Sequence, residues 1–217
     1  MFSSIARFRK ARRWLRSRFD IDSDFEALEE SCIPSYAHGN PLFGWIAWLR
    51  LESAVVLWRM YRSGRKVLDF GAGSGVLGTL LADEAEYSFA ETDRALAKRI
   101  AAAVPDAIDA THDNSARYDA IFALDSLEHN ENFENLLEMI AGRLDDGGIF
   151  ILSGPSENVI YRLGRFLAGF DGHYHHTTIY DIERVARKCM RLEKVRQVPF
   201  GLPLFRVSSW RRISHEK

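Results

Sequence analysis

From residue 66 onward, short apolar runs alternate with longer segments in which apolar residues recur at helical spacing. The short runs predict buried strands, and the longer segments predict helices that pack on them. Because the two kinds of element alternate, we expect an α/β fold, a seven-stranded and mostly parallel sheet with helices on both faces. The predicted strands are residues 66–70, 87–91, 107–109, 118–124, 149–153, 191–198 and 204–210. The predicted helices are residues 76–82, 93–103, 131–144, 156–168 and 178–189.

The last two predicted strands are joined by a short connection that contains Pro199 and Pro203. A connection of this length is short enough for the two strands to pair antiparallel. We therefore expect the sheet to finish with an antiparallel C-terminal strand.

Residues 1–62 are predicted to form a helical N-terminal extension. We expect this extension to cap the α/β domain of residues 63–217 and to belong to the same folding unit. Its most apolar part, residues 42–61, contains three tryptophans and few charges. That pattern favours a helix buried against the domain over a membrane segment.

The turn before this apolar helix has two interpretations. Asn40 and Pro41 suit the N-cap and the first position of the helix that follows. The same turn carries Tyr36 and His38, whose aromatic and imidazole groups are typical of a lid that closes over a pocket. Both interpretations can hold together.

The overall composition and charge indicate which general class of protein the sequence belongs to. The 217 residues are 47% hydrophobic and 27% charged, as expected for one globular domain with an ample core. A net charge of −1 predicts no general attraction to nucleic acid. The two cysteines, Cys32 and Cys189, are far apart and outside any C-x-x-C motif, which favours a reducing, cytoplasmic compartment. No stretch resembles a secretory signal or reaches the ~18 apolar residues of a membrane span.

Residues 1–19 are locally basic, since arginine and lysine alternate there with apolar residues and no acid is present. This pattern is compatible with an amphipathic helix that contacts a membrane surface or an anionic partner. The alternative, which we favour, is a helix that packs its aromatic side chains on the domain and pairs its arginines with the acids of residues 20–30.

The clearest candidate for a binding site is the sequence Val67-Leu68-Asp69-Phe70-Gly71-Ala72-Gly73-Ser74-Gly75. An apolar strand ends there in an acid, and three glycines alternate in the turn that follows. Glycine lets another molecule approach the backbone, because no Cβ stands in the way. The next helix presents its N-terminal N–H groups to the same spot. Strand, glycine turn and helix together predict a nucleotide-type cofactor site, and Gly73-x-Gly75-x-x-Gly78 also matches the dinucleotide fingerprint.

Further motifs favour one cofactor class. Asp69-x-Gly71-x-Gly73-x-Gly75 resembles motif I of class I S-adenosylmethionine (SAM) methyltransferases. The block of residues 118–129, which ends in Leu127-Glu128-His129, and the paired glycines of residues 145–148 resemble small-molecule methyltransferases of the ubiquinone-biosynthesis type. The resemblance covers residues 65–153 and implies a Rossmann-like sheet with SAM as the cofactor. It does not reach the segments in which such enzymes differ in their methyl acceptor.

The resemblance also implies roles for individual residues. In this family the glycine loop lies against the amino-acid end of the cofactor with Asp69 nearby, and Glu91 accepts hydrogen bonds from the ribose hydroxyls. Asp93 is better explained as the cap of the next helix. Asp113 or Asn114 is a candidate contact for the adenine amine, although capping of its own loop is equally compatible. The expected cofactor-binding residues are Asp69, Gly71, Ala72, Gly73, Gly75, Glu91, Thr92, Asp113 and Asp125.

Histidines are the candidates for a general base, because a hydroxyl acceptor can require one. His129 is either reactive or a support for the loop after the fourth strand, and Asp125, at the end of that strand, is expected to face the methyl group. A histidine-rich segment at residues 172–176 follows the fifth strand; it has no nearby acid or cysteine at ligand spacing, so no metal site is expected. The candidate catalytic residues are His129, His173 and His175, and the candidate substrate-binding residues are Tyr36, His38, Tyr174 and His176.

The function predicted from these features is SAM-dependent methyl transfer to a small-molecule or a lipid- or glycan-linked acceptor. O-methylation is favoured over N- or C-methylation, because candidate bases are plentiful. Two other classes stay open: a non-catalytic module with the same fold, and a protein whose main function is contact with a membrane surface. A nicotinamide-dependent oxidoreductase explains the glycines and Glu91, but it leaves Asp69 and the block around His129 unexplained.

Overall fold

Strands and helices alternate in the computed structural model, which describes residues 2–19, 33–81, 83–156, 158 and 177–213. The helices are α1 (Phe2–Arg16), α2 (Ile33–Ala37), α3 (Pro41–Tyr61), α4 (Val76–Leu81), α5 (Arg94–Ala103), α6 (Phe133–Arg143) and α7 (Ile179–Ala186). The strands are β1 (Lys66–Phe70), β2 (Glu86–Ala90), β3 (Ile108–Asp109), β4 (Tyr118–Leu124), β5 (Leu144–Pro155), β6 (Met190–Val198) and β7 (Phe205–Arg212). A short 3-10 helix, Leu127–His129, follows β4.

The strands form one seven-stranded sheet in the order β3-β2-β1-β4-β5-β7-β6. Neighbouring strands from β3 to β5 are parallel, whereas β7 runs antiparallel to both β5 and β6. The predicted α/β fold with an antiparallel C-terminal strand is therefore confirmed. The chain leaves β1 toward β2 and β3 on one side and returns to β4 on the other, which opens a crevice at the carboxyl ends of these strands.

Both faces of the central strands are buried, which explains their nearly continuous apolar sequences. In β4, Phe122 packs with α3 and α4 on one face of the sheet, while Ile121 packs with α6 and α7 on the other. The alternation follows from the two-residue period of a strand. The sheet is thus covered by helices on both faces, as predicted.

Helix α3 is a core helix, as its apolar sequence predicts. Trp48 and Trp58 are almost fully buried, and the Trp58 ring lies 6.4 Å from the ring of Phe122 in β4. The helix begins as expected: Pro41 occupies the first turn, and the Asn40 side chain accepts a hydrogen bond from the Leu42 backbone N–H at 3.0 Å. In the part of the chain that the structure describes, no helix is both long and apolar enough to span a membrane.

The apolar face of α1 is used inside the protein. Phe8 and Leu15 are buried, and the Phe8 ring lies 6.1 Å from that of Trp48 in α3. Two arginines tie the same helix to the end of α2, since Arg12 donates to the His38 carbonyl at 2.6 Å and Arg16 donates to the Ala37 carbonyl at 3.0 Å. The aromatic packing is the arrangement we favoured from the sequence. The acids of residues 20–30 lie outside the described residues.

Differences from the predicted elements are local. The third strand is reduced to Ile108–Asp109, which pairs with β2 alone at the edge of the sheet. The fifth strand is longer than predicted, because Leu144 already pairs with Tyr118 and the predicted glycine turn forms an irregularity within the strand. The helix predicted for residues 156–168 lies, beyond residue 158, outside the described residues.

Candidate functional site

A cleft of about 430 Å³ opens at the carboxyl ends of β1, β2 and β4. Its position is the one at which open α/β sheets bind ligands, and its volume is that of a small-molecule site. The sequence-predicted residues that line it are Tyr36, Asp69, Gly71, Ala72, Gly73, Glu91, Thr92, Asp125 and His129. Lining residues that the sequence did not single out include Leu51, Leu96, Thr111, Ser126 and Asn130. Apolar and small polar residues of this kind have no distinctive sequence signal.

The glycine turn between β1 and α4 owes part of its composition to packing within the protein. Gly71 and Gly75 have φ angles of +71° and +68°, a region that glycine adopts without strain. A Cβ on Gly71 would lie 2.4 Å from the Cβ of Ser126, and one on Gly75 would lie 3.0 Å from the side chain of Ile100 in α5. At these two positions the missing side chain therefore makes room for protein atoms. Gly73, with φ +52°, lies between them and lines the cleft.

Glu91 and Asp93, two neighbouring acids after β2, have different partners. One carboxylate oxygen of Glu91 accepts a hydrogen bond from the Gly73 backbone N–H at 2.8 Å, and the other accepts one from the Asp93 N–H at 2.9 Å. Asp93 caps α5 by accepting from the Ala95 backbone N–H at 2.7 Å, as predicted. The carboxylate that is hydrogen-bonded to the glycine turn is thus that of Glu91.

Asp69, at the end of β1, is a buried acid on the wall of the cleft. It is 3% exposed, and the Tyr87 hydroxyl donates a hydrogen bond to its Oδ2 at 2.7 Å. Burial raises the pKa of Asp69 to about 7; the hydrogen bond from Tyr87 opposes the rise, and the charge of Glu91 adds to it. Burial, followed by the charge of Asp69, raises the pKa of Tyr87 as well, so the phenol stays a neutral donor.

Asp125, at the carboxyl end of β4, is held by a polar network. Its φ is +52°, and its backbone N–H donates to the Ser153 carbonyl at 3.0 Å. The Ser153 hydroxyl donates to Asp125 Oδ1 at 3.0 Å, and the Arg50 guanidinium forms an ion pair with Oδ2. Asp125 lines the cleft with its carboxylate paired to a cation from α3, and the expectation that it faces the methyl group stays a prediction.

Arg50, the partner of Asp125, is another residue of this region that the sequence did not single out. It is 3% exposed, donates a hydrogen bond to the Tyr36 hydroxyl at 2.7 Å, and stacks with its guanidinium carbon 4.9 Å from the centre of the Phe205 ring. A charged residue within a helix that has few charges was the available signal, since a buried cation requires a partner. The partner itself, 75 positions away, is not visible from the sequence.

His129 lies at the rim of the cleft. It ends the 3-10 helix after β4, is solvent-exposed and lines the cleft. His38, the other predicted histidine in a described segment, accepts a hydrogen bond from the Asn40 backbone N–H at 3.0 Å and packs edge-on against Phe43. It is not among the residues that line the cleft.

Asp113 caps its own loop. Its Oδ1 accepts hydrogen bonds from the backbone N–H and the hydroxyl of Ser115, both at 2.8 Å, and these bonds lower the pKa of Asp113. Of the two roles that the sequence left open, loop capping is the one formed. Neither Asp113 nor Gly75 lines the cleft. Four predicted residues lie outside the described part of the chain: His173, Tyr174, His175 and His176.

The charged side chains that line the cleft suit a cationic ligand. Four carboxylates line it, from Asp69, Glu91, Asp93 and Asp125, and within the described residues no lysine or arginine does. Over that same part of the chain, no group of three or more His, Cys, Asp or Glu side chains is arranged to hold a metal ion. A positively charged organic molecule of nucleoside size is therefore compatible with both the charge and the volume of the cleft.

Several solved structures with the same fold are methyltransferases. The N-methyltransferase NodS from Bradyrhizobium japonicum WM9, in complex with S-adenosyl-L-homocysteine, is 13% identical with a TM-score of 0.65, over 87% of this chain and 98% of that one. Magnesium protoporphyrin IX methyltransferase from Synechocystis PCC 6803 is 17% identical with a TM-score of 0.65, over 88% and 97%. A TehB-like SAM-dependent methyltransferase from Corynebacterium glutamicum is 19% identical with a TM-score of 0.57, over 74% and 86%. At these identities the likeness establishes the fold.

Sequence comparison supplies the family. No curated protein matches the chain in sequence. Residues 49–201, which contain the glycine turn, Glu91, the His129 block and strand β6, match the family described as "Methyltransferase domain". That match covers well over half of the 217 residues. This chain therefore belongs to the methyltransferase domain family and is a class I SAM-dependent methyltransferase.

Proposed function

We propose that this enzyme transfers the methyl group of SAM to a hydroxyl group of a small-molecule acceptor, free or linked to a lipid or glycan. The observation that carries the proposal is the composition of the cleft, in which a glycine turn and carboxylates face each other with an exposed imidazole at the rim. SAM is positively charged at its sulfur and at its amino group, and carboxylates at short range favour such a ligand.

Glu91 is suited to bind the ribose hydroxyls. A carboxylate offers about four acceptor positions, and the N–H groups of Gly73 and Asp93 occupy two of them. The remaining two are available to a pair of neighbouring hydroxyls. Because the existing bonds orient the carboxylate, little side-chain freedom is lost when the ligand binds.

The other assignments follow from position in the cleft. Asp69, Ala72 and Gly73 surround the space beside the glycine turn, where the amino-acid end of SAM belongs. Thr92 follows Glu91 on the ribose side. We assign Asp125, at the end of β4, to the boundary between cofactor and acceptor, where its pairing with Arg50 reduces the local charge.

The chemistry requires little more than positioning and one base. SAM supplies a methyl group that is already activated by the sulfonium. The walls of the cleft hold the acceptor at attack distance and exclude water. His129 can take the proton of an acceptor hydroxyl, because imidazole titrates near neutral pH and this one borders the cleft. The exposed imidazole is the reason to propose O-methylation.

The exposed apolar residues of the β6–β7 turn favour an acceptor that has an apolar part. Phe200 and Leu202 are exposed large apolar residues of this turn. The turn lies at the carboxyl edge of the sheet, because Phe205 at the start of β7 pairs with Pro155 at the end of β5. A lipid-linked or otherwise apolar acceptor would gain contact area there.

The test is methyl transfer from tritium-labelled SAM to a panel of phenols, alcohols, carboxylic acids and amines, with lipid- and glycan-linked alcohols included. We expect a hydroxyl compound to be labelled and His129→Gln to slow the transfer about 100-fold or more, the scale of a general base. SAM affinity, measured by calorimetry, should stay within threefold. The matched control is His112→Gln, which removes an exposed histidine outside the cleft. Labelling of amines alone, or full activity of His129→Gln, would overturn O-methylation.

A further inference from the structure

Tyr87 is a buried residue of β2 that reaches the cofactor cleft through Asp69. It is 4% exposed and packs with Phe89 and Ile100 in the small core between β2 and α5. Its ring lies directly beside Gly78 in α4, where a Cβ would come within 2.7 Å of the Tyr87 Cε1 atom. Gly78 therefore leaves the space through which the phenol reaches the end of β1.

The Tyr87 hydroxyl can donate one hydrogen bond, and its two polar neighbours, Gly78 and Asp69, determine which of them receives it. The Gly78 backbone forms a hydrogen bond with the phenol that lowers the pKa of Tyr87, as a donating N–H does. Gly78 is within the first turn of α4, where backbone N–H groups lack a partner in the helix. With its oxygen accepting from Gly78, the phenol donates its proton to Asp69 Oδ2.

Asp69 is thereby kept as an acceptor that faces the cleft. Only one of its oxygens is engaged by Tyr87, and the residue lines the cleft while remaining 3% exposed. A carboxylate so far from water gains more from an approaching cation than an exposed one does. When protonated, the same group offers no charge to a cation.

We propose that Tyr87 is a positioning residue for cofactor binding, whose hydroxyl orients Asp69 and stabilises the carboxylate form that receives the cationic end of SAM. The inference rests on the proposed binding of SAM in this cleft. SAM then binds the deprotonated form of Asp69. Binding therefore releases a proton to solvent at any pH at which Asp69 is protonated in the free protein.

Other ionisable groups face the same cleft, and their contribution to the pH dependence of SAM binding must be separated from that of Asp69. Those that line it are Glu91, Asp93, Asp125 and His129, together with the Tyr36 phenol, and Arg50 of α3 is paired with Asp125. The segment from Ser74 to Leu77 on the α4 side contributes no ionisable side chain. Asp69→Asn keeps all of these groups and removes only the Asp69 carboxylate, so it reports any pH dependence that they cause.

The expected profile follows from the free protein, in which burial holds the pKa of Asp69 at about 7. SAM affinity should weaken about tenfold from pH 8 to pH 6, because below the pKa each pH unit reduces the ionised fraction about tenfold. Tyr87→Phe removes a hydrogen bond that lowers the pKa of Asp69, so the midpoint of its profile should move to higher pH. Asp69→Asn should show no such step.

The experiment is titration calorimetry of the full chain with SAM between pH 6 and pH 9, in two buffers with different ionisation enthalpies. Proton release near pH 7 in the unaltered protein, minus that of Asp69→Asn, isolates Asp69 from titration of the ligand itself. The matched control is Tyr118→Phe, which removes the hydroxyl of a buried tyrosine outside the cleft and should leave the profile unchanged.

The outcomes are distinct. A shifted midpoint in Tyr87→Phe, with Tyr118→Phe unshifted, supports the positioning role, whereas loss of thermal stability alone does not move a midpoint. SAM binding with identical profiles in the unaltered protein and Tyr87→Phe would overturn the inference while leaving the proposed function intact. Absence of SAM binding at every pH would overturn the proposed function itself.

Discussion

Arg50 of α3 and Asp125 at the end of β4 form a buried ion pair that joins the N-terminal helices to the cofactor cleft. Both side chains are less than 10% exposed, and each has a second polar partner, Tyr36 for Arg50 and Ser153 for Asp125. Tyr36 and Asp125 both line the cleft, so the pair fixes two of its walls relative to each other. The N-terminal helices are thereby part of the site as well as of the core.

Arg50→Ala should destabilise the protein by about 3–5 kcal/mol, because it leaves the Asp125 carboxylate buried without its cation. Chemical denaturation at pH 7 measures this change. The control is Arg59→Ala in the same helix, which removes an exposed ion pair with Glu84 and should cost about 1 kcal/mol or less. Equal effects of the two substitutions would show that the pair does not hold the helix to β4.

Glu91→Ala should weaken SAM binding by about 1–3 kcal/mol, the scale of hydrogen bonds to a charged group. Asp93→Ala should instead lower the free energy of unfolding by about 1 kcal/mol through loss of the α5 cap, with a smaller change in SAM affinity. Calorimetry and denaturation of both variants separate the two effects. A larger loss of affinity in Asp93→Ala would mean that the ribose-binding acid is two positions further along.

Asp69 should make stability fall as the pH rises. Its pKa is about 7 in the folded protein and about 4 in an unfolded chain, so the folded state binds this proton more tightly. The stability that the proton contributes is present below pH ~4 and is lost as the pH rises through 7.

Asp69→Asn removes this contribution and keeps an acceptor for Tyr87. The free energy of unfolding of the variant, minus that of the unaltered protein, should therefore increase from pH 5 to pH 7 and level off above pH 8. The full span between pH ~3 and pH ~8 is on the order of 4 kcal/mol, from about three pKa units at 1.36 kcal/mol each, and roughly two thirds of it falls above pH 5. Denaturation series across this range provide the measurement, and a difference that stays constant would contradict the burial of an ionisable Asp69.

Gly71→Ala should be destabilising, because the added Cβ would overlap Ser126 and the φ of +71° is strained for alanine. A loss of about 1–3 kcal/mol is expected from such overpacking. Gly142→Ala is the control with the opposite sign: this glycine lies in α6 with open space around it, so alanine should stabilise by about 0.5–1 kcal/mol. Adding Ser126→Gly to Gly71→Ala should recover part of the loss if the overlap is its cause.

Features of this structure that depend on residues close together in the chain could be predicted from the sequence. The apolar run before Asp69, the cap formed by Asn40 and the cap formed by Asp93 depend on residues a few positions apart, and each is found where the pattern predicts it. The assignment of Glu91 to the ribose remains a prediction, which its hydrogen bond from the Gly73 N–H in the glycine turn supports.

The features of the site that could not be predicted from the sequence depend on contacts between residues that are far apart in the chain. Tyr87 and Asp69 belong to different strands, and Arg50 and Asp125 to a helix and a strand 75 positions apart. Gly71 shows the same limit, since it is confined by Ser126, 55 positions further along the chain.

The amino-acid sequence by itself determined the order of strands and helices, the glycine turn and the family, because hydrophobic period, turn chemistry and capping act over short stretches of chain. Only the tertiary structure decided which carboxylates are paired, which one has its pKa raised to about 7 and which glycine is confined by a neighbour. Those properties depend on burial and on distances between atoms that become neighbours only when the sheet and its helices pack together.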